Sequence, residues 1–361
     1  MLRAPRYGTA SLTEVLPSVL AALGDHDWDN VLGLQTAEHA VIVVVDGLGF
    51  EQLRTARDVA PLLTDAALAR PPIDAAFPTT TPCGLGSLTL AMPPGLHGFV
   101  GATFLLPDFD VVLNPLHWDG VPTPAAVQPE PTVFTRTSIP VRSHGPARFA
   151  ASGMTRVLLD GARPLGYSTF DPSAVRPEPG TLDYVYLPEL DKAGHTDGPA
   201  SAGWVRALRT VEAHVEAIVR ALPASSIVLV TADHGMVEVP DSRRIDVDGQ
   251  QFQAGVLRMA GEPRMRHVHT DAPADVQERW TSALGDRATV LSRAEAIDAG
   301  LFGTVDPMLA ERIGDVIAIA HADWALTSRI VDPKPSGLRG LHGSLTEAEL
   351  LVPCAILRGA R

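Results

Sequence analysis

Ala40-Val41-Ile42-Val43-Val44-Val45-Asp46-Gly47 is the stretch on which the reading of this chain turns. Its apolar residues, mostly β-branched, run without polar alternation and stop at a carboxylate. A strand with one wet face would alternate. A run apolar on both faces suits a central strand of a largely parallel sheet covered by helices. Tyr184–Leu187 before Asp191 and Ile227–Val230 before Asp233 have the same form. Between them, Ser201–Leu222 places Val205, Leu208, Val211, Val215, Ile218, Val219 and Leu222 on one helical stripe, and Pro223 stops it. Strands alternating with such helices predict an α/β fold.

The 361 residues suffice for one large domain over 1–361 with a substantial core. The texture changes twice. Pro107–Pro140, with Pro115, Pro122, Pro124, Pro129 and Pro131, reads as a long Pro-rich loop region with short strands. From Asp246 to about Gly303, short alternating strands around Gly261-Glu262-Pro263 precede a helix from Asp275 to Leu284, which predicts an inserted α+β subdomain over 246–303. The segment from Gly340 to Ile356 returns to the core with Leu350-Leu351-Val352.

At the N-terminus, Leu12, Val15, Leu16, Val19, Leu20 and Leu23 recur at helical spacing around Glu14. A signal-peptide core would be continuously apolar, so an amphipathic helix and a cytoplasmic chain are expected. No apolar run reaches the roughly 18 residues that span a bilayer, and no membrane partner is expected. The net charge of −13 argues against binding a nucleic-acid duplex. Cys83 and Cys354 are too few for a disulfide framework and read as inert buried thiols.

Open α/β sheets place their sites beyond the carboxyl ends of the strands. Asp46, Asp191 with His195, the adjacent Asp233-His234, and His342 are therefore expected to converge. Three carboxylates and three imidazoles form a mixed oxygen and nitrogen set that suits zinc, with manganese as the harder alternative. One such segment alone is ordinary: an Asp at a strand end often caps a helix. Four together are not, because buried Asp and His need partners. Between the first two groups lies Phe77-Pro78-Thr79-Thr80-Thr81-Pro82-Cys83-Gly84-Leu85. A threonine hydroxyl is a poor nucleophile unless a metal lowers its pKa. Three threonines in a row also suit a strand end, where alternation would put Thr79 and Thr81 on one side and Thr80 on the other.

In their order, Asp46-Gly47, the Pro-Thr-Thr-Thr segment, Glu189-x-Asp191-x-x-Gly194-His195, Ala232-Asp233-His234-Gly235-Met236 and His342-Gly343 resemble the nucleotide pyrophosphatase/phosphodiesterase branch of the alkaline phosphatase superfamily. The resemblance spans Val41 to Val352 and includes Pro94-Gly95-Leu96-His97-Gly98 and Gly198-Pro199. It implies an alkaline-phosphatase-like α/β sandwich, with a mostly parallel sheet between helices, acting on a small-molecule phosphate ester or nucleotide. It assigns one zinc to Asp191, His195 and His342, and a second to Asp46, Asp233, His234 and the Thr81 oxygen. The family register makes Thr81 the nucleophile, with Thr80 as the fallback. Two metals about 4 Å apart would clamp an in-line displacement at phosphorus, through a phospho-threonine.

A phosphate monoesterase or phosphonate hydrolase would use the same residues. A catalytically silent metal-binding homologue would show a broken ligand set. The sulfatase branch needs Cys/Ser-x-Pro-x-Arg, which Cys83-Gly84-Leu85-Gly86-Ser87 lacks. One departure stands out. Eukaryotic members follow the nucleophile with Phe-Pro-Asn-His, whose Asn helps hold a phosphoryl oxygen, and here Pro82-Cys83-Gly84-Leu85 takes its place. Backbone N–H groups of the following helix are expected to substitute. Of the remaining polar residues, His97 and the pair His267 and His269 read as structural. Lys192 reads equally as a phosphate contact or a solvated side chain. His144 is placed near the substrate.

Overall fold

A computed structural model describes residues 3–118 and 123–361. Pro122 of the Pro-rich region lies outside the described residues. Ten strands build the two principal sheets: β1 (His39–Val45), β2 (Val141–Pro146), β3 (Arg163–Tyr167), β4 (Thr181–Leu187), β5 (Ser226–Thr231), β6 (Arg258–Glu262), β7 (Met265–His269), β8 (Ala288–Ser292), β9 (Val316–Ala320) and β10 (Ala355–Arg358). The larger sheet has the order β10-β5-β1-β4-β2-β3. All its neighbours pair in parallel except β10, which runs antiparallel to β5.

The three apolar runs become the middle of this sheet. Every residue of β1 is buried, because β4 and β5 flank it and helices cover both faces. The register sets Val45 beside Leu187 and Val44 beside Thr231. The three strands therefore end at one level, and the polar residues that follow them face the same space.

Five helices matter here: α1 (Val15–Ala22), α2 (Thr81–Leu90), α3 (Glu189–Asp197), α4 (Ala202–Ala221) and α5 (Pro273–Leu284). The N-terminal stripe packs as α1 and the turn before it, with Leu12, Val15, Leu16, Val19 and Leu20 fully buried. A capping box between Ser11 and Glu14 starts that turn. In α4, Ser201 caps the Trp204 N–H, and Trp204, Leu208, Val211, Val215 and Ile218 form the buried stripe. No helix among the described residues is long and apolar enough to cross a membrane.

The second sheet is antiparallel with the order β6-β7-β9-β8. With α5 it encloses its own apolar cluster around Phe252, Trp280, Leu284, Val316 and Leu326. It draws in β9, which lies past residue 303 in the chain, and a short strand Arg244–Asp246 pairs with Ala325–Thr327. In the Pro-rich region, Phe104–Leu106 pairs with Val111–Leu113, and Pro124–Val127 and Val133–Arg136 form single helical turns.

The α4 stripe generates a test of the core. Leu208 is fully buried, so Leu208→Ala is expected to cost about 2–5 kcal/mol, read as a lower denaturant midpoint at unchanged slope. A loss under about 1 kcal/mol would show that the helix does not pack as described.

Candidate functional site

Asp46 is the first residue beyond β1, and Gly47 turns the chain with φ +74°. A Cβ at Gly47 would lie 3.0 Å from the Asp191 backbone, so the two segments meet only because residue 47 has no side chain. Asp191 and His195 stand one turn apart on α3, with Oδ2 and Nε2 3.3 Å apart. Asp233 and His234 follow β5, and His342 follows a two-residue strand, Gly340–Leu341, paired with Val237–Glu238.

These six side chains meet in one place. His342 Nε2 is 3.3 Å from His195 Nε2 and 4.0 Å from Asp191 Oδ1. His234 Nε2 is 3.6 Å from both Asp46 Oδ1 and Asp233 Oδ2, and its ring stacks on His342 at 3.7 Å between centroids. Two sets have donor atoms within 4.8 Å of one another and could hold a metal ion: Asp191, His195 and His342, and Asp46, Asp191 and His234. Asp191 belongs to both. Asp233 uses Oδ1 to accept from the Gly47 and His234 N–H groups, which leaves Oδ2 free.

The protonation pattern follows from backbone partners. His195 Nδ1 meets Gly340 O at 2.7 Å, His234 Nδ1 meets Gly235 O at 3.0 Å, and His342 Nδ1 meets Thr79 O at 2.8 Å. A carbonyl only accepts, so each Nδ1 carries the proton and each Nε2 turns a lone pair to the cluster. Asp46 Oδ1, Asp191 Oδ1 and Asp233 Oδ2 are buried with no hydrogen-bond partner. Burial, then Asp233 and Asp191, pushes the Asp46 carboxyl well above the usual carboxylate range, and burial raises Asp233 as well. Burial, then His234 and His195, drives His342 well below the usual imidazole range. Orphaned carboxylate oxygens facing imidazole lone pairs form the donor set that a divalent cation satisfies.

Sequence reasoning missed Tyr186. Its phenol donates to Asp46 Oδ2, leaving Oδ1 free, and burial holds its pKa well above the ordinary value. Tyr186 lies in an apolar run and reads as core. Only the pairing of β1 with β4, which sets it beside Val44, brings it to the site.

The threonines separate in space. Thr79 Oγ1 donates to Ser344 O at 2.7 Å and accepts from Gly343 N–H at 3.0 Å, anchoring the turn after His342. Thr80 stands at the N-cap position of α2 without a side-chain capping bond, and Thr81 begins the helix with Oγ1 3.2 Å from His234 Nε2. The segment is thus no extended strand with Thr79 and Thr81 on a shared face. Pro82 has no N–H, and Gly84 N–H is bonded to Thr80 O. That leaves few backbone donors in the first turn for a phosphoryl oxygen.

His97, His267 and His144 serve the scaffold. His97 bonds Ser87 and accepts from Phe99 N–H, and His267 bonds Val100 O and accepts from Gly314 N–H. Burial pushes both down to about 3. His144 does not approach the cluster. It bonds Asp183, which His39 and Arg142 also hold, and Asp183 pairs with Val41, far down the strand from Asp46. A cavity of about 1000 Å³ adjoins the cluster. Thr81, Asp46, Asp191, His195 and His342 line it together with apolar Leu116, Phe149, Met154 and Leu159 and the cations Arg148, Arg156 and Lys192.

A donor cluster at the carboxyl ends of parallel strands, beside a hydroxyl and an open cavity, is the arrangement of a metal-dependent hydrolase. The chain belongs to the type I phosphodiesterase/nucleotide pyrophosphatase family, whose sequence profile matches residues 40–155 and 151–345. It is a phosphodiesterase-type hydrolase of a metal-dependent family, with an alkaline-phosphatase-like fold. Murine ectonucleotide pyrophosphatase/phosphodiesterase 5 is similar with a TM-score of 0.66 at 15% identity, over 87% of this chain and 86% of that one. An inactive threonine-to-alanine variant of the murine protein, in complex with AMP, matches to the same extent. The human counterpart gives 0.63 at 17% identity, over 87% of this chain and 86% of its own. No curated protein sequence matches.

Helix α2 reaches Asp233 through a glycine. A Cβ at Gly84 would lie 2.4 Å from Asp233 O. Gly84→Ala is therefore expected to push α2 away from β5 and cost about 1–3 kcal/mol, read as a lower denaturant midpoint. An unchanged midpoint would show that this contact yields freely.

Proposed function

We propose that this chain hydrolyses small phosphate esters, diesters and nucleotide pyrophosphates first, through a phospho-threonine at Thr81 and two divalent metals. The observation that carries the reading is the set of orphaned carboxylate oxygens and imidazole lone pairs facing one another beside Thr81 Oγ1. Asp191, His195 and His342 would hold one ion. Asp46, Asp233 and His234, with the Thr81 oxygen, would hold the other, and Asp191 lies within reach of both. Zinc fits this mixed donor set, with manganese as the alternative. Such ions lower the pKa of the oxygens they bind and offset charge developing at phosphorus.

The chain's own groups do the rest. Thr81 Oγ gives up its proton to solvent and forms a bond to phosphorus as the bond to the departing oxygen breaks, and that oxygen, of an alcohol or a phosphate, takes up a proton from water. Its place at the start of α2 fixes the line of attack. Water then cleaves the phospho-threonine, restoring the hydroxyl and releasing the phosphorylated product. Arg148, Arg156 and Lys192 offer positive charge to the anionic substrate, and the apolar wall accepts an organic substituent. The AMP bound to the murine variant makes nucleotides the first compounds to try. A monoesterase or phosphonate hydrolase would share the chemistry. The cavity, about 1000 Å³, gives room for a second substituent on phosphorus and favours the diester.

Two experiments test this. Purified protein should carry close to two divalent metals per chain and cleave a nitrophenyl diester faster than the monoester. Full activity after exhaustive chelation would rule the mechanism out. Thr81→Ala should lower kcat by about 10³-fold or more, Thr81→Ser should keep part of it, and Thr80→Ala should be milder. Trapping with a slow substrate, then peptide mass spectrometry, should find the phosphoryl group on Thr81. Its appearance on Thr80 would move the nucleophile.

Tyr186→Phe removes the hydroxyl that fixes Asp46 while keeping the ring. It should weaken metal affinity by about 10–100-fold at unchanged melting temperature, measured by chelator competition. Unchanged affinity would reduce Tyr186 to a packing residue.

A further inference from the structure

Four carboxyl oxygens among the described residues are buried without a hydrogen-bond partner: Asp46 Oδ1, Asp191 Oδ1, Asp233 Oδ2 and Glu262 Oε1. The first three belong to the donor cluster. The fourth comes from elsewhere in the chain, the last residue of β6 in the second sheet, and lines the same cavity as Thr81 and His342. Glu262 is 5% exposed. The turn after His342 is shaped around it. Gly343 has φ +131°, and a Cβ there would lie 2.4 Å from Glu262 Oε1. Residue 343 is thus glycine both for its backbone and for the room it leaves this carboxyl.

We propose that Glu262 is a substrate-binding residue that donates a hydrogen bond from a neutral carboxyl, through Oε1–H, to a phosphoryl oxygen. The proposal rests on the phosphoester reading above. Its geometry selects the oxygen. Oε2 accepts the Ala102 N–H at 2.8 Å, so Oε2 is the carbonyl-like atom and the proton belongs on Oε1. The two arginines near it in the chain do not hold the ionised form. Arg264 is committed to Glu349 and Arg266 to Asp332, at 2.7 Å in each case. An ionised carboxylate would repel a phosphate, whereas a neutral acid in a dry site is a strong donor to it.

The charged and titratable groups around Glu262 agree. Burial pushes its carboxyl up to about 8. The Ala102 N–H and Arg266 pull against that rise, and Asp332 and Glu349 add to it. Cys83, on α2, has a thiol that burial holds well above its usual range, so it stays uncharged. The proposed donor is the neutral acid, so its hydrogen bond is lost as rising pH ionises the carboxyl.

The test uses full-length, zinc-loaded protein with Glu262→Gln and Glu262→Ala. Glutamine can accept the Ala102 N–H through its amide oxygen and present N–H where Oε1–H stood. Four quantities are measured: inorganic phosphate affinity by calorimetry, nitrophenyl diester turnover against pH, metal content and melting temperature. Glu262→Ala should weaken phosphate binding and lower kcat/KM by about 10²-fold each, with metal content and melting temperature kept. Glu262→Gln should stay within about threefold of the wild type and lose the wild type's fall in activity at alkaline pH.

Wild-type phosphate affinity in Glu262→Ala would overturn the proposal. So would equal losses in both variants, which would mean that a carboxylate is needed. Loss of metal or of melting temperature in both would make Glu262 a structural residue and overturn it too. If the loaded wild type cleaves neither ester, the hydrolase reading falls, while the phosphate affinities still decide the role of Glu262.

Discussion

Asp46, Asp191 and Asp233 each turn a buried carboxylate oxygen into one space at the strand ends, with no hydrogen-bond donor to meet it. Three such groups repel one another and each forfeits its hydration, which is tolerable only where positive charge is supplied. Much of the architecture serves to keep them there. Pairing of β1 with β4 on one side and β5 on the other delivers a carboxylate segment from each of three adjacent strands. Gly47 and Gly84 let backbones close to distances that a side chain would prevent. Three main-chain carbonyls hold the imidazoles by Nδ1, so their lone pairs face inward without rotational freedom.

The second sheet is joined to this site through a chain of buried polar contacts. Arg264, in the turn between β6 and β7, binds the Glu349 carboxylate, and both side chains are fully buried. Glu349 also accepts the Ser344 N–H at 3.0 Å, and Ser344 Oγ donates to Ala320 O at the end of β9. The same turn, Gly343-Ser344, is gripped from the other side by Thr79. A buried ion pair is weak evidence for stability, but it fixes geometry, because either partner left alone would be an uncompensated buried charge. His342 is thereby located by contacts from the nucleophile segment and from the second sheet at once.

What could be read from the sequence follows the same logic. Strands buried on both faces are apolar over most of their length, so β1, β4 and β5 declared themselves, and the carboxylates that follow them pointed to the site. The outer strands did not. Arg142-Ser143-His144-Gly145-Pro146 and Arg163-Pro164-Leu165-Gly166-Tyr167 carry polar, glycine and proline residues, and β3 is an edge strand with largely exposed side chains. His144 was misplaced for that reason. Its partner Asp183 comes from β4, and nothing in the local pattern reveals that pairing. Tyr186 and Glu262 were hidden in the opposite way, one inside an apolar run and the other in what reads as a hairpin turn. Their partners, Asp46 and Ala102, are 140 and 160 residues distant, so only the folded chain exposes their roles.

Charge at the site is finely balanced. The chain as a whole carries −13, so its general field opposes an anionic substrate, and attraction has to be local. On the two-metal reading, two divalent ions exceed the three carboxylates by a single positive charge. Arg148, Arg156 and Lys192 add to it around the cavity. One further ionised carboxylate against the same space would cancel the excess at the centre. A buried carboxyl kept neutral adds a hydrogen-bond donor without that loss. This gives a physical reason for Glu262 to stand at the end of β6 with its neighbouring arginines already bound to Glu349 and Asp332. An unpaired arginine beside it would ionise the carboxyl, and the donor would be gone.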